Sequence, residues 1–381
     1  MKVEFYKHSL GQEEKEAVNA VLDTIFLTTG DRVALFEKQF AAYLGAKYCV
    51  GLTSCTAALH LALIALGIGP GDEVITTPMT FVATSTAILH TGATPVWVDV
   101  ESDTGNINAD LIEEAVTPKT RAIIPVHLYG QMCDMRKIRQ IADRHNLVII
   151  EDAAHAIESE RDGIRVGELA DIACFSFYAT KNITSGEGGA ITTNSQALAE
   201  KIQILRLHGI NREAADRYTK RYEHWDLIET GWKYNMDNIQ AALLLPQLRK
   251  IDENLQKRQE LYNTYTKALQ NISGLQMPVE TPDSRHACHL FTIWVDPQFR
   301  DKILFDLQDQ GIGVAVNYRS INLLTRFMQL FGKGRGSFPV SERIGDSTIS
   351  LPFYPLLTPE QTNYVIDTVI STIGKYKTGK E

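Results

Sequence analysis

Lys181 has a setting that asks for chemistry. It lies in "FSFYATKNITSGEGGAI" (Phe175–Ile191), where an apolar alternation runs into one lysine, a polar turn, and three glycines around a glutamate. Lysine is rarely buried without a partner, so the position needs a solvent exit or a chemical use. Among apolar groups an ammonium loses basicity, because desolvation disfavours the charge, and the free amine can condense with an aldehyde. Asp152, in "NLVIIEDAAHAIESE", falls where a buried parallel strand should end, at the carboxyl edge on which open α/β sheets bind ligands. Taken singly, Asp152 reads equally as a helix cap or turn residue, and Lys181 as a lysine snorkelling from a strand end. Taken together, they are an amine able to form a Schiff base and a carboxylate able to keep a ring nitrogen protonated, the pair that pyridoxal phosphate (PLP) requires.

A third group stands in "GLTSCTAALHLAL". Thr53, Ser54 and Thr56 precede an apolar-periodic helix, whose free N–H groups and positive dipole end suit a phosphate. Plain N-capping explains the same residues. Ser176, just before Lys181, offers another hydroxyl on that edge, and Phe81, in "PMTFVATS", is placed to stack on a planar ring or to fill core. Other candidates carry less. "GIGPG" at 67–71 follows a helix and precedes a strand, the reverse of a dinucleotide fingerprint. His286 and His289 flank Cys288, but in a strand they would point to opposite faces, so no metal site is read there. Arg212, Arg217, Lys220 and Arg221 read as a solvated face, with the alternative that some hold a diphosphate.

The elements that must position these residues follow from periodicity. Between about residues 47 and 195, "KYCVGL", "DEVITT", "TPVWVDV", "RAIIPVHL", "NLVIIEDA", "IACFSFYA" and "GAITT" read as parallel strands buried on both faces. Stretches such as "TAALHLALIALG" and "MRKIRQIADRHN" alternate with them as helices. The expectation is a large, doubly wound, mostly parallel α/β domain over 1–245. A smaller α+β domain over 246–381 would begin within a long helix, "MDNIQAALLLPQLRKIDENLQKRQELYNTYTKALQ", bent at Pro246. That domain would hold strands at "HLFTIWVD" and "IGVAVNY". The polar, aromatic stretch 207–235 between them reads as a functional segment.

Totals bound the function class. The chain has 381 residues, 44% hydrophobic and 22% charged, with formal net charge −8, which speaks against nucleic-acid binding. Its five cysteines lack C-x-x-C spacing and read as reduced core thiols of a cytoplasmic protein. The start "MKVEFYKHSLGQEEKEAV" has no apolar leader, and the longest apolar run is too short to span a bilayer.

These pieces, in this order, resemble the DegT/StrS family of sugar aminotransferases, PLP enzymes of aspartate-aminotransferase fold type I. The resemblance runs through "TSCTAALHLAL", "GIGPGDEVIT", "GATPVWVDV", "IIPVHLYGQ", "VIIEDAAHA", "FSFYATKNITSGEGG", "LRLHGI", "GWKYNMDNIQAALLLPQL" and "RHACHLFTIWV". It implies that Lys181 forms the Schiff base and Asp152 pairs with the pyridine nitrogen. Ser54, Thr56, the backbone of Ala57, and Ser176 would hold the phosphate. Phe81 would stack on the ring with His155 beside it. Asn235 would reach the phosphate of the neighbouring subunit's cofactor, making the active unit a homodimer. The family's dehydratase branch carries histidine at the position of Lys181, so lysine favours transamination.

What the resemblance implies for the reaction is amino transfer from L-glutamate to a keto sugar, a nucleotide-linked 4-keto-6-deoxyhexose or UDP-sugar, for surface polysaccharide or lipopolysaccharide. A keto sugar without a nucleotide, a PLP-dependent sugar dehydratase, and a non-catalytic sugar-nucleotide binder remain as rivals. Many relatives have histidines where this chain has Asn317 and Asn322. With Tyr318 and Arg319 these would line the acceptor site, Arg319 offering a fork for carboxylate or phosphate. The rival reading makes this segment a strand end and loop only.

Overall fold

The computed structural model describes residues 1–211 and 224–376. Its largest sheet has seven strands: β1 (Tyr48–Leu52), β2 (Glu73–Thr76), β3 (Thr94–Trp97), β4 (Thr120–Ile123), β5 (Val148–Asp152), β8 (Ile172–Ser176) and β9 (Gly189–Thr193). Their spatial order is β1-β9-β8-β5-β4-β2-β3. Two-residue strands β6 (Glu160–Arg161) and β7 (Ile164–Arg165) join β11 (Ser284–Arg285) in a small sheet. A third sheet, β10 (Leu275–Gln276), β12 (Phe291–Val295) and β13 (Thr348–Leu351), belongs to the C-terminal part.

The strand sequences are β-branched and apolar because both sheet faces are covered. Successive residues alternate sides. Ile149 of β5 and Ile123 of β4 pack into one core with Phe36, Phe40 and Phe175. Ile150 and Ile124 pack into the other with Leu59, Leu61 and Ile191. Helix Cys55–Ala65 lies in that second core and is buried almost all round, as a helix without an amphipathic stripe must be.

Three expectations are corrected. First, β9 runs antiparallel to both β8 and β1, whereas the apolar runs read as seven parallel strands. The chain returns from β8 through 177–188, a connection with no helix to carry it across the sheet, so it can only fold back beside its own strand. That loop carries Lys181. Second, the long helix breaks at Lys250 (φ −105°, ψ 9°), between Asn238–Arg249 and Ile251–Leu269, and Pro246 sits inside the first helix. Gln247 braces that turn, its amide nitrogen donating to the Leu243 carbonyl at 2.6 Å and the Thr184 carbonyl at 2.7 Å. Third, "IGVAVNY" makes only single bridges, Ile312 to Val3 and Ala315 to Ser350. Gly313 donates to the Val3 carbonyl at 2.8 Å, and a Cβ on Gly313 would meet the Phe5 nitrogen at 2.3 Å, so this segment follows the N-terminus instead of a sheet. Val3 is thereby buried in the C-terminal core with Tyr265, Phe291 and Val365.

Among the described residues no helix is long and apolar enough to cross a membrane. All five cysteines are buried and unpaired.

Candidate active site

The carboxyl ends of β1, β5 and β8 and the loop after β2 open into a cavity of about 530 Å³. Asp152, the last residue of β5, is 6% exposed and faces it. Its Oδ2 accepts from the Thr84 hydroxyl at 2.7 Å and its Oδ1 from the Ala154 N–H at 3.2 Å. Burial holds the carboxyl above its usual range, against the pull of these donors and of Lys181. It has no ion-pair partner within 4 Å among the described residues. A buried carboxylate so placed is stabilised by any cation that enters the cavity.

Lys181 lines the same cavity, its backbone N–H bonded to the Tyr178 carbonyl at 2.9 Å. Burial pulls its amine down to about 8, although Cys55 and Asp152 act the other way. The amine is therefore part-deprotonated near neutrality, which a nucleophilic lysine needs. The Cys55 thiol is pushed well up by burial and by Asp152, and stays protonated.

The rim opposite is the start of helix Cys55–Ala65. Ser54 caps it, its Oγ accepting the Ala57 N–H at 3.0 Å. Ser54, Thr56 and Ser176 all line the cavity, whereas the Ala57 N–H is engaged by this cap. Gly189 opens β9 directly beneath: a Cβ there would lie 2.2 Å from the Ser54 carbonyl carbon. Phe81, 58% exposed at the start of helix Val82–His90, presents its ring to the cavity, 6.0 Å between centroids from Tyr318. The Tyr318 hydroxyl meets His155 Nε2 at 3.1 Å. The His155 ring lies 4.3 Å, centroid to centroid, from that of His289 and tilted by 36° to it, and burial drives both imidazoles well below their ordinary range. His289 Nδ1 lies 3.1 Å from Asn182 Oδ1.

The structure thus gathers Ser54, Thr56, Phe81, Asp152 and His155 with Ser176, Lys181, Asn317 and Tyr318 around one cavity. Others fall elsewhere. Asn235 is buried on Thr29, whose hydroxyl accepts from its amide at 2.7 Å; it bridges Leu52 at the end of β1 and does not line the cavity of its own chain. Arg319 is exposed and outside the cavity. Asn322, expected at the sugar site, is fully buried, donating to Glu342 Oε1 at 2.9 Å and to the Gly334 carbonyl at 3.2 Å. It ties together the turn before helix Pro339–Ser347. Arg212, Arg217, Lys220 and Arg221 lie outside the described residues. Thr84, which bonds Asp152, and Asn182 and His289, which border a smaller cavity beside Lys181, carry no sequence signal that assigns them to the site by type. Two have a nearby one: Thr84 lies three residues beyond Phe81 on the same first helical turn, and Asn182 directly follows Lys181.

The model of the DegT/DnrJ/EryC1/StrS aminotransferase family matches residues 8–370. The chain belongs to that family. Among its relatives is the spore coat polysaccharide biosynthesis protein SpsC of Bacillus subtilis, 42% identical over 366 residues, 94% of each chain. A putative sugar aminotransferase of Streptococcus pneumoniae, solved in its PLP form, superposes with a TM-score of 0.93 at 31% identity, covering 99% of this chain and 100% of the other. PseC of Helicobacter pylori, an aminotransferase involved in the biosynthesis of pseudoaminic acid, gives 0.92 at 30% identity over 98% and 100%. This DegT/DnrJ/EryC1/StrS protein is accordingly a PLP-dependent sugar aminotransferase of fold type I. The residues present fit the cofactor: a buried carboxylate with no ion-pair partner within 4 Å among the described residues, a desolvated lysine, and a capped helix start share one cavity.

Proposed function

We propose that this aminotransferase moves an amino group from L-glutamate to a nucleotide-linked keto sugar, a 4-keto-6-deoxyhexose or UDP-sugar, in the cytoplasm. The product would serve surface polysaccharide or lipopolysaccharide. The observation that carries the reading is one cavity shared by Asp152, buried with no ion-pair partner within 4 Å among the described residues, and Lys181, whose amine burial has lowered to about 8. The names of SpsC and PseC point toward surface and amino sugars for those proteins, which supports the acceptor class.

PLP, when bound, supplies the aldehyde that takes up the amino group and a ring that spreads the electron pair left on deprotonation. Lys181 would hold the cofactor aldehyde through Nζ, and its amine, once free, would serve as the base that moves a proton. Asp152 holds the ring nitrogen protonated, with Thr84 orienting its carboxylate. Ser54, Thr56 and Ser176 hold the phosphate with the first-turn N–H groups of Cys55–Ala65. The Ala57 N–H joins them where the Ser54 hydroxyl turns from cap to phosphate ligand. Phe81 covers one side of the ring site and His155 sits beside it. Tyr318 bonds His155, and with Asn317 borders the space left for the acceptor. The active unit is a homodimer in which Asn235 reaches the partner's cofactor.

The test is spectral and chemical. Enzyme loaded with PLP should change its visible absorbance on adding L-glutamate, and a panel of nucleotide-linked and free keto sugars should restore the original spectrum only with the true acceptor. Restoration by free keto sugars alone would remove the nucleotide from the reading. No spectral response to any amino acid would sink transamination.

A further inference from the structure

The two sides of Lys181 are walled differently. Toward the large cavity it faces Asp152 and the Cys55 thiol. On its other side it shares a chamber of about 30 Å³ with His289 and Arg258, room for about one water molecule. His289 is 6% exposed, and its hydrogen bonding is determined from its neighbours outward. The Asn182 amide nitrogen donates to Glu158 Oε2 at 2.9 Å and to the Ala287 carbonyl at 3.1 Å, two groups that can only accept. Asn182 Oδ1 is therefore the atom left for His289 Nδ1, and Nδ1 must carry the hydrogen. Glu158 is itself held by Arg258 Nη2 at 2.6 Å, with both side chains buried, and Arg258 Nε donates to the Ala287 carbonyl at 3.2 Å. The ring is thus fixed as one tautomer, with a lone pair on Nε2 that no described residue hydrogen-bonds. Arg258 also lines that chamber, and its Nη1 is buried with no hydrogen-bond partner among the described residues.

We propose that His289 is a positioning residue for Lys181, its Nε2 accepting a hydrogen bond from Nζ through one water in the chamber whenever that amine is free. Asn182 acts through His289, and the Glu158–Arg258 pair through Asn182. The lysine is thereby parked on the side away from Asp152 while a substrate amine occupies the large cavity. A neutral ring suits the task, since an imidazolium would offer no acceptor and would repel the ammonium. Burial and the neighbouring His155 keep His289 neutral.

An acceptor favours the ammonium, so His289 holds the Lys181 pKa higher than burial alone would leave it. The other charged or titratable groups lining the large cavity with Lys181 are Asp152, Cys55, His127, His155, Glu187, Tyr178 and Tyr318. From the chamber they are Tyr6, Lys7, His8, Tyr354 and the Arg258–Glu158 pair. A change at His289 leaves all of them in place. The inference rests on Lys181 being the amine that carries the cofactor. Were that assignment wrong, Lys181→Ala would keep its turnover, whereas the experiment here reads the amine itself.

Competitive acetylation of Lys181 across pH, followed by mass spectrometry of its peptide, measures that amine in the full-length chain, free of cofactor and in the pyridoxamine phosphate form. His289→Phe should label Lys181 about threefold faster at pH 7, a fall of about half a pKa unit, while His289→Gln, which retains an acceptor oxygen, stays near wild type. Identical profiles for wild type and His289→Phe overturn the proposal, and so does an equal shift in His289→Gln. Asn182→Ala gives an independent arm if His289→Phe does not fold: it leaves both rings and removes the oxygen that fixes the tautomer, while Glu158 and the Ala287 carbonyl, which also lose a donor, keep Arg258. Faster labelling of Lys181 is expected there too, and an unchanged rate overturns the proposal.

Discussion

The Thr84 hydroxyl donates to Asp152 Oδ2 at 2.7 Å, and the same hydroxyl lies 2.8 Å from that of Thr80. The carboxylate is thus oriented from the helix that begins beside Phe81, across the sheet edge from its own strand. Thr84→Val keeps the shape and removes the donor. It should weaken PLP binding about tenfold, the worth of one hydrogen bond to a buried charge, with Thr84→Ser near wild type. Absorbance titration of the cofactor-free chain with PLP measures this. Equal affinity in Thr84→Val and wild type would leave Asp152 without need of its partner.

Asp152→Asn replaces the anion with an amide that cannot hold a ring nitrogen protonated. A carboxylate partner is worth about one to three pKa units, so turnover should fall between about tenfold and a thousandfold on that ground alone. Steady-state rates with saturating PLP check it. A loss under about threefold would return Asp152 to the role of a strand-end turn residue.

Lys181→Ala should abolish turnover while leaving thermal unfolding close to wild type. The lysine's side chain contributes no hydrogen bond or ion pair to the fold among those the described residues make, and burying it costs solvation. Wild-type turnover in this variant would contradict its assignment as the amine that carries the cofactor.

Gly189→Ala should damage the phosphate end of the site. Its Cβ would be 2.2 Å from the Ser54 carbonyl carbon and 2.5 Å from the Cys55 nitrogen, backbone atoms that cannot step aside as a flexible side chain can. Overpacking of this kind costs about 1–3 kcal/mol or more. A lower melting temperature together with weaker PLP binding is expected. Loss of stability with unchanged affinity would separate this loop from the cofactor site.

The pH dependence follows from the sign of the Lys181 shift. Its amine, lowered to about 8 by burial, is an ammonium below that pH and a base above it. In the pyridoxamine form, where Lys181 is free, single-turnover rates with a keto sugar should rise with pH and level off above about 8. His155 and His289, held neutral by burial, should add no inflection near pH 6.5. A profile flat between about pH 6 and 9 would show that proton transfer by Lys181 does not limit this step.

The residues that carry the chemistry are legible in the chain itself. Asp152 and Ser176 end buried strands, and Ser54 precedes a helix, so period-2 and helical patterning place each one at a sheet edge by local rules. The direction of β9 and the break at Lys250 are not legible in the same way. β-branched runs look alike in either direction, and a proline inside a helix is tolerated when a side chain such as Gln247 braces its turn.

What only the tertiary structure decided is which side chains meet those residues. Thr84 reaches Asp152 from 68 residues away, Asn182 reaches His289 from 107, and Glu158 reaches Arg258 from 100. Asn322 looks like a site residue by its position in the chain, yet it is spent on Glu342 inside the C-terminal part. Strand and helix periods specify which face a residue takes. They carry no record of what a distant element presents to that face, because packing between elements is settled by volume, burial and hydrogen-bond pairing once the whole chain has closed.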